Sequence, residues 1–182
     1  ALTMDMVLAY PELQWKCDYV SSMNMNITDI LEHPELKWDW NYVSQNLSVT
    51  IDMVLSNIDK PWNWSCLSRH PNITMSDIES HVNLPWKWGK YGVSFNPNVT
   101  MAMIEAHPDK EWNWRYISQH MKLTVDLLRH YAKKPWDSST MSWCNPSITL
   151  ELLLATPDLP WRYDWLSMNN CLTIDMVLTF PD

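Results

Sequence analysis

Residues 96–118 read NPNVTMAMIEAHPDKEWNWRYIS, and this phrase decides the fold. Thr100 is a good helix N-cap, because its hydroxyl can accept one of the unpaired first-turn N–H groups. Val99 before it and Ile104 four residues after it make the apolar pair of a hydrophobic staple, which fixes how the chain enters a helix. Pro108, eight residues after the cap, limits that helix to about two turns. A second half opens at Asp109 and carries Trp112, Trp114, Tyr116, Ile117 and Ser118. Trp112 and Tyr116 are an i, i+4 pair on one face of a second short helix. The alternation of Trp112 and Trp114 is also what a strand would show. The joint apolar character of Trp112, Tyr116 and Ile117 favours helix.

The phrase recurs along the whole chain. Its copies start at Thr3, Asn26, Thr50, Thr74, Thr100, Thr124, Thr149 and Thr173, with steps of 23, 24, 24, 26, 24, 25 and 24 residues. Twelve residues after each of the first seven starts stands a tryptophan: Trp15, Trp38, Trp62, Trp86, Trp112, Trp136 and Trp161. Pro61, Pro85, Pro135 and Pro160 precede it, as a first helical turn tolerates. Each complete copy then carries an aliphatic-Ser pair, ending in Ser21, Ser44, Ser68, Ser94, Ser118, Ser142 or Ser167. The expectation is an all-α fold, an α-solenoid of about seven and a half two-helix repeats of ~24 residues, with 1–182 as a single repeat domain. Helices this short are unstable alone and must be held by stacking on their neighbours.

Composition narrows the functions. The 182 residues include thirteen tryptophans, twelve prolines and only two glycines, with a net charge of −8. No basic stripe is present to hold phosphates, so nucleic acid is not expected as a partner. No apolar run is long enough to span a bilayer, so no membrane is expected. Cys17, Cys66, Cys144 and Cys171 fall at four different repeat positions and form no CxxC pair, which favours free thiols. Asn26, Asn46, Asn63, Asn72 and Asn98 head N-glycosylation sequons. Secretion therefore stays open, although a helix-cap motif accounts for most of them.

The phrases HPNITMSDI, IDKPWNWSCLS and NPNVTMAMIEAHPDKEWNWRYIS resemble the tryptophan-rich tandem repeats of giant DNA viruses of amoebae, proteins of unknown function. The likeness covers essentially the whole chain. The sixth copy departs from it, with Trp136-Asp137-Ser138 in place of W-x-W, and the fourth through an insertion holding Gly89 and Gly92. The resemblance implies a viral origin and an intracellular setting, the infected host cytoplasm or the virion. It implies no activity and transfers no catalytic residue.

No catalytic, cofactor or metal site is expected. A catalytic serine is needed once, so seven serines in one column point instead to caps or backbone hydrogen bonds. His33, His81 and His107 share a column with Tyr10, Asn57 and Tyr131, seven residues after the cap. Neighbouring repeats lie roughly 8–10 Å apart when helices pack normally, too far for two such histidines to share an ion. That column is a candidate partner-binding stripe instead. The invariant tryptophans read as core, each removing about 150–250 Å² from water. The second tryptophan slot, Trp40, Trp64, Trp88 and Trp114, is a candidate exposed row. The function expected is a non-enzymatic scaffold or protein-interaction array, with a protein or a second copy, head to tail, as partner. The alternative is a carbohydrate-binding array using that exposed row. Two further expectations follow. Glycine supplies positive φ, so Gly89 and Gly92 should form a bulged connection in repeat four that changes the curvature of the array. The apolar last half-repeat should make the chain either a piece of a longer array or an end-to-end associating one.

Overall fold

The structure, a computed structural model, describes residues 4–10 and 26–180. Readings that rest on Thr3, Trp15, Cys17, Ser21 and Met25 lie outside the described residues. Thirteen short α-helices and one 3-10 helix occur among the described residues, with no strand. The chain divides into two compact units, Ala1–Asn98 and Val99–Asp182.

In the first unit the helices are α1 (Met4–Ala9), α2 (Ile27–Glu32), α3 (Trp40–Val43), α4 (Ile51–Ser56), α5 (Trp64–Ser68) and α6 (Met75–Ser80), followed by the 3-10 helix η1 (Val93–Phe95). In the second they are α7 (Met101–Ala106), α8 (Trp114–His120), α9 (Val125–His130), α10 (Ser138–Cys144), α11 (Leu150–Ala155), α12 (Tyr163–Leu166) and α13 (Ile174–Thr179). Within the second unit α10 packs against both α8 and α12.

The first helix of each repeat forms as its sequence requires. Thr50, Thr74, Thr100, Thr124, Thr149 and Thr173 are N-caps in extended backbone, and each side chain accepts the N–H three residues on. Thr74 and Asp77 complete a reciprocal capping box. The staple pairs form the core: Val49 with Val54, Ile73 with Ile78, Val99 with Ile104, Leu123 with Leu128 and Ile148 with Leu153 are all buried. The aliphatic residue before each serine joins them, at Val43, Leu67, Val93, Ile117, Met141 and Leu166.

The second half corrects the sequence reading. The invariant tryptophan does not lie in the second helix; it precedes it. Its N–H donates to the carbonyl two residues back, from Trp38 to Leu36 (2.9 Å), Trp62 to Lys60 (2.8 Å), Trp86 to Leu84 (2.7 Å), Trp112 to Lys110 (2.9 Å), Trp136 to Lys134 (2.8 Å) and Trp161 to Leu159 (2.7 Å). This bond closes a γ-turn. No described residue has positive φ, so it is the inverse form, whose central residue needs φ near −75°. Proline is locked close to that value, and prolines 61, 85, 135 and 160 are the central residues. The residue after the tryptophan is then the cap of the second helix. Asp39, Asn63, Asn113 and Asp137 accept first-turn N–H groups there.

Candidate functional site

The invariant tryptophans converge on one set of backbone atoms. The Trp38, Trp62, Trp86, Trp112, Trp136 and Trp161 indole N–H groups donate to the carbonyls of His33, Asn57, His81, His107, Tyr131 and Thr156, at 2.8–2.9 Å. Those acceptors are the residues that end the first helices. Trp38, Trp62, Trp86 and Trp161 are buried, while Trp112 and Trp136 are half-buried.

In the candidate binding stripe the backbone carbonyls of His33, Asn57, His81, His107 and Tyr131 are thus held by indoles. His33, Asn57, His81, His107 and Tyr131 are half-buried and Tyr10 is exposed. Asn57 Nδ2 donates to the Met53 carbonyl (3.0 Å), and His81 Nδ1 lies 2.9 Å from the Asp77 carbonyl, so these side chains hold their own helix ends. The Tyr131 hydroxyl donates to Glu105 (3.1 Å), one repeat earlier.

The second tryptophan row is half-buried rather than exposed, at Trp40, Trp64, Trp88 and Trp114. Three of these rings stand edge-on to the invariant tryptophan of the following repeat. The centroid distances are 4.9 Å for Trp40–Trp62, 5.1 Å for Trp64–Trp86 and 5.2 Å for Trp114–Trp136, all near perpendicular. Such pairs contribute about 0.5–1.5 kcal/mol beyond area burial.

The serine column clamps successive repeats. Ser44 and Ser68 donate to the Trp40 and Trp64 carbonyls (2.6 Å each), a bond four residues back. Ser94 makes the same bond to Trp88 across six residues (2.6 Å), so the insertion loops out without breaking it. Serine hydroxyls of this column also accept a backbone N–H from the next repeat: Asn63 on Ser44 (2.8 Å), Lys87 on Ser68 (2.9 Å), Asp137 on Ser118 (2.9 Å) and Arg162 on Ser142 (3.0 Å). All five serines, 44, 68, 94, 118 and 142, are fully buried.

Sequence reasoning missed a second clamp. Asn46, Asn96, Asn145 and Asn169 are buried. Asn96 Nδ2 reaches the carbonyls of Ser68, His70 and Ile73 (3.1, 3.1 and 3.0 Å). Asn145 Nδ2 donates to Ser118 and Met121 (2.8 and 3.0 Å), and Asn169 Nδ2 to Ser142 and Asn145 (2.9 and 3.3 Å). Their Oδ1 atoms accept the N–H two residues on, at Asn98, Ser147 and Cys171 (2.8 Å each). The signal was the Ser-x-Asn spacing at Ser44/Asn46, Ser94/Asn96 and Ser167/Asn169.

The glycine expectation holds for the looped connection and fails for its cause. Gly92 has φ −138°, not positive. Its role is close approach: a Cβ there would lie 1.6 Å from the Lys87 carbonyl oxygen. That oxygen accepts the Val93 N–H at 2.6 Å.

No protein-family model, curated protein or solved structure matches this chain. Among the described residues, no group of three or more His, Cys, Asp or Glu side chains is placed to hold a metal ion. No described helix is long and apolar enough to cross a membrane. Cys66, Cys144 and Cys171 are free thiols. The sequon asparagines have structural work. Asn26 and Asn63 cap helices, Asn46 is buried, and Asn72 and Asn98 donate to the Leu47 and Pro71 carbonyls (2.6 and 2.7 Å).

Proposed function

We propose that the chain is a non-enzymatic repeat array, an α-solenoid scaffold that presents a surface to a protein partner. One observation carries this reading: the recurring Thr, Trp, Ser and Asn side chains bond to backbone of their own or the adjacent repeat. No buried side-chain nitrogen or oxygen among the described residues lacks a hydrogen-bond partner. Among the large hydrophobic side chains, Tyr42, Leu47, Tyr91, Trp143, Tyr163 and Met168 are exposed. Aromatic and methionine side chains are enriched where proteins meet. The setting is the one the viral resemblance implies, the infected cell or the virion. A second copy is a partner of the same class, because Ile174, Val177 and Leu178 of α13 are exposed. Such a head-to-tail contact is heterologous and builds open assemblies unless its rotation closes.

The test is affinity capture from infected cells with the native chain and a Tyr42→Ala/Trp143→Ala variant of unchanged thermal stability. A partner held by the first and lost by the second is expected. The competing reading is a carbohydrate array, favoured by the half-buried rings of Trp40, Trp64, Trp88 and Trp114, which keep part of their surface in solvent. Micromolar glycan binding that quenches tryptophan emission, with no protein captured, would replace the scaffold reading.

A further inference from the structure

His70 stands at the position that Asn46, Asn96, Asn145 and Asn169 hold in the buried ladder. It is 3% exposed. Its Nε2 lies 3.1 Å from the Asn46 carbonyl, the role played by Nδ2 of Asn96, Asn145 and Asn169. Its Nδ1 accepts the Asn72 N–H at 3.1 Å, the role played elsewhere by Oδ1. An imidazole fills both roles only when neutral and protonated at Nε2. The ring thus copies an amide, with one difference: an amide does not titrate near neutral pH and an imidazole does.

We propose that His70 makes this step of the ladder an acid-sensitive seam, closed at neutral pH and opened by protonation of the imidazole, while the asparagine steps are indifferent to pH. A second proton belongs on Nδ1, where it would point at the Asn72 N–H, donor against donor. The charge would also be buried with no counter-charge. Segments 44–49, 66–73 and 94–98, which bond to or adjoin the ring, hold only two other ionisable side chains, Cys66 and Arg69. Arg69 turns its guanidinium to Cys66 Sγ, at 3.8 Å. Burial holds the imidazole below its ordinary value of 6.5, and the Asn46 carbonyl offsets this only in part. The sign follows: the opened state takes up the proton first, so the seam loses stability as pH falls below about 6.5.

The experiment is amide hydrogen exchange of the whole chain between pH 7.5 and 5, corrected for intrinsic rates. The Asn72 opening constant is expected to rise by up to tenfold per pH unit below about 6.5. The Ser147 amide, on the Asn145 step, should stay flat. His70→Asn should remove the slope at Asn72. A flat Asn72 amide in the native chain, or a slope that persists in H70N, overturns the proposal. If H70N does not fold, the native ring spectrum decides: the Nε2–H form at neutral pH with titration below the ordinary range supports it, and titration at or above 6.5 overturns it.

Discussion

The Ser68 hydroxyl sits between two repeats, accepting the Lys87 N–H at 2.9 Å while donating to the Trp64 carbonyl at 2.6 Å. One oxygen thus ties a helix to the γ-turn segment 19 residues further on. Ser68→Ala removes the acceptor and strands a part-buried N–H, a loss of about 1–3 kcal/mol. Ser167→Ala is the control: its hydroxyl is exposed and bonds only the Asp164 carbonyl (2.7 Å), and such surface changes stay within about 0.5 kcal/mol. Urea unfolding of the two variants measures the difference. Equal losses would show that the clamp contributes nothing.

Trp62 separates burial from hydrogen bonding. It is buried, and its indole donates to the Asn57 carbonyl at 2.8 Å. Trp62→Ala should cost roughly 3–5 kcal/mol, the range for large core truncations. Trp62→Phe keeps most of the apolar contact and loses the indole donor. The Asn57 carbonyl still accepts the Lys60 N–H (3.1 Å), so no orphan is left and the bond itself accounts for about 0.5–1.5 kcal/mol. Denaturant midpoints of the two variants should therefore be well separated. Coincident midpoints would mean the indole bond, not the burial, dominates.

The caps and staples were legible because their partners lie within five residues: Thr74 needs only Asp77, and Ile73 only Ile78. The position of Trp86 was not, because a preceding proline suits a first helical turn as well as a γ-turn. The choice is settled by bonds to His81 and Leu84 that periodicity does not encode. The serine column was read correctly as bonding to backbone, but its second partner lies 19 or 20 residues away. The asparagine ladder was hidden twice. Its donors reach carbonyls 23 to 28 residues back. Its column is also broken by His70, by Met121 and by the extra residue between Ser142 and Asn145.

Gly92 gives a steric prediction. A methyl group there meets the Lys87 carbonyl oxygen and carbon at 1.6 and 2.3 Å, both backbone atoms. The γ-turn segment or η1 has to move, and overpacking of this kind costs about 1–3 kcal/mol or more. Lys90→Ala, in the same loop, truncates an exposed side chain whose ammonium lies 4.9 Å from the Tyr91 ring, a contact worth about 0.5–1 kcal/mol when exposed. Thermal melts should rank Gly92→Ala well below Lys90→Ala. Equal melting temperatures would show that the loop yields freely.

Asn96 gives the prediction opposite in sign to that of His70. Its amide faces the carbonyls of Ser68, His70 and Ile73 and is fully buried. Asn96→Asp places acceptor oxygens where three carbonyls already point. An ionised carboxylate there would be buried against those three carbonyl oxygens, so the introduced group should be protonated in the folded state and raised above the usual carboxylate value of about 3.9. A group whose folded value is raised contributes stability below its unfolded value and loses it as pH rises through the folded one. The deficit of Asn96→Asp relative to the native chain should therefore grow with pH above about 4, by up to tenfold in the unfolding constant per unit until the folded-state carboxyl ionises. Asn96→Ala, which introduces no titrating group, should show a deficit independent of pH. Urea unfolding from pH 4 to 8 compares them. A pH-independent deficit for Asn96→Asp would mean that water reaches the ladder and solvates the carboxylate.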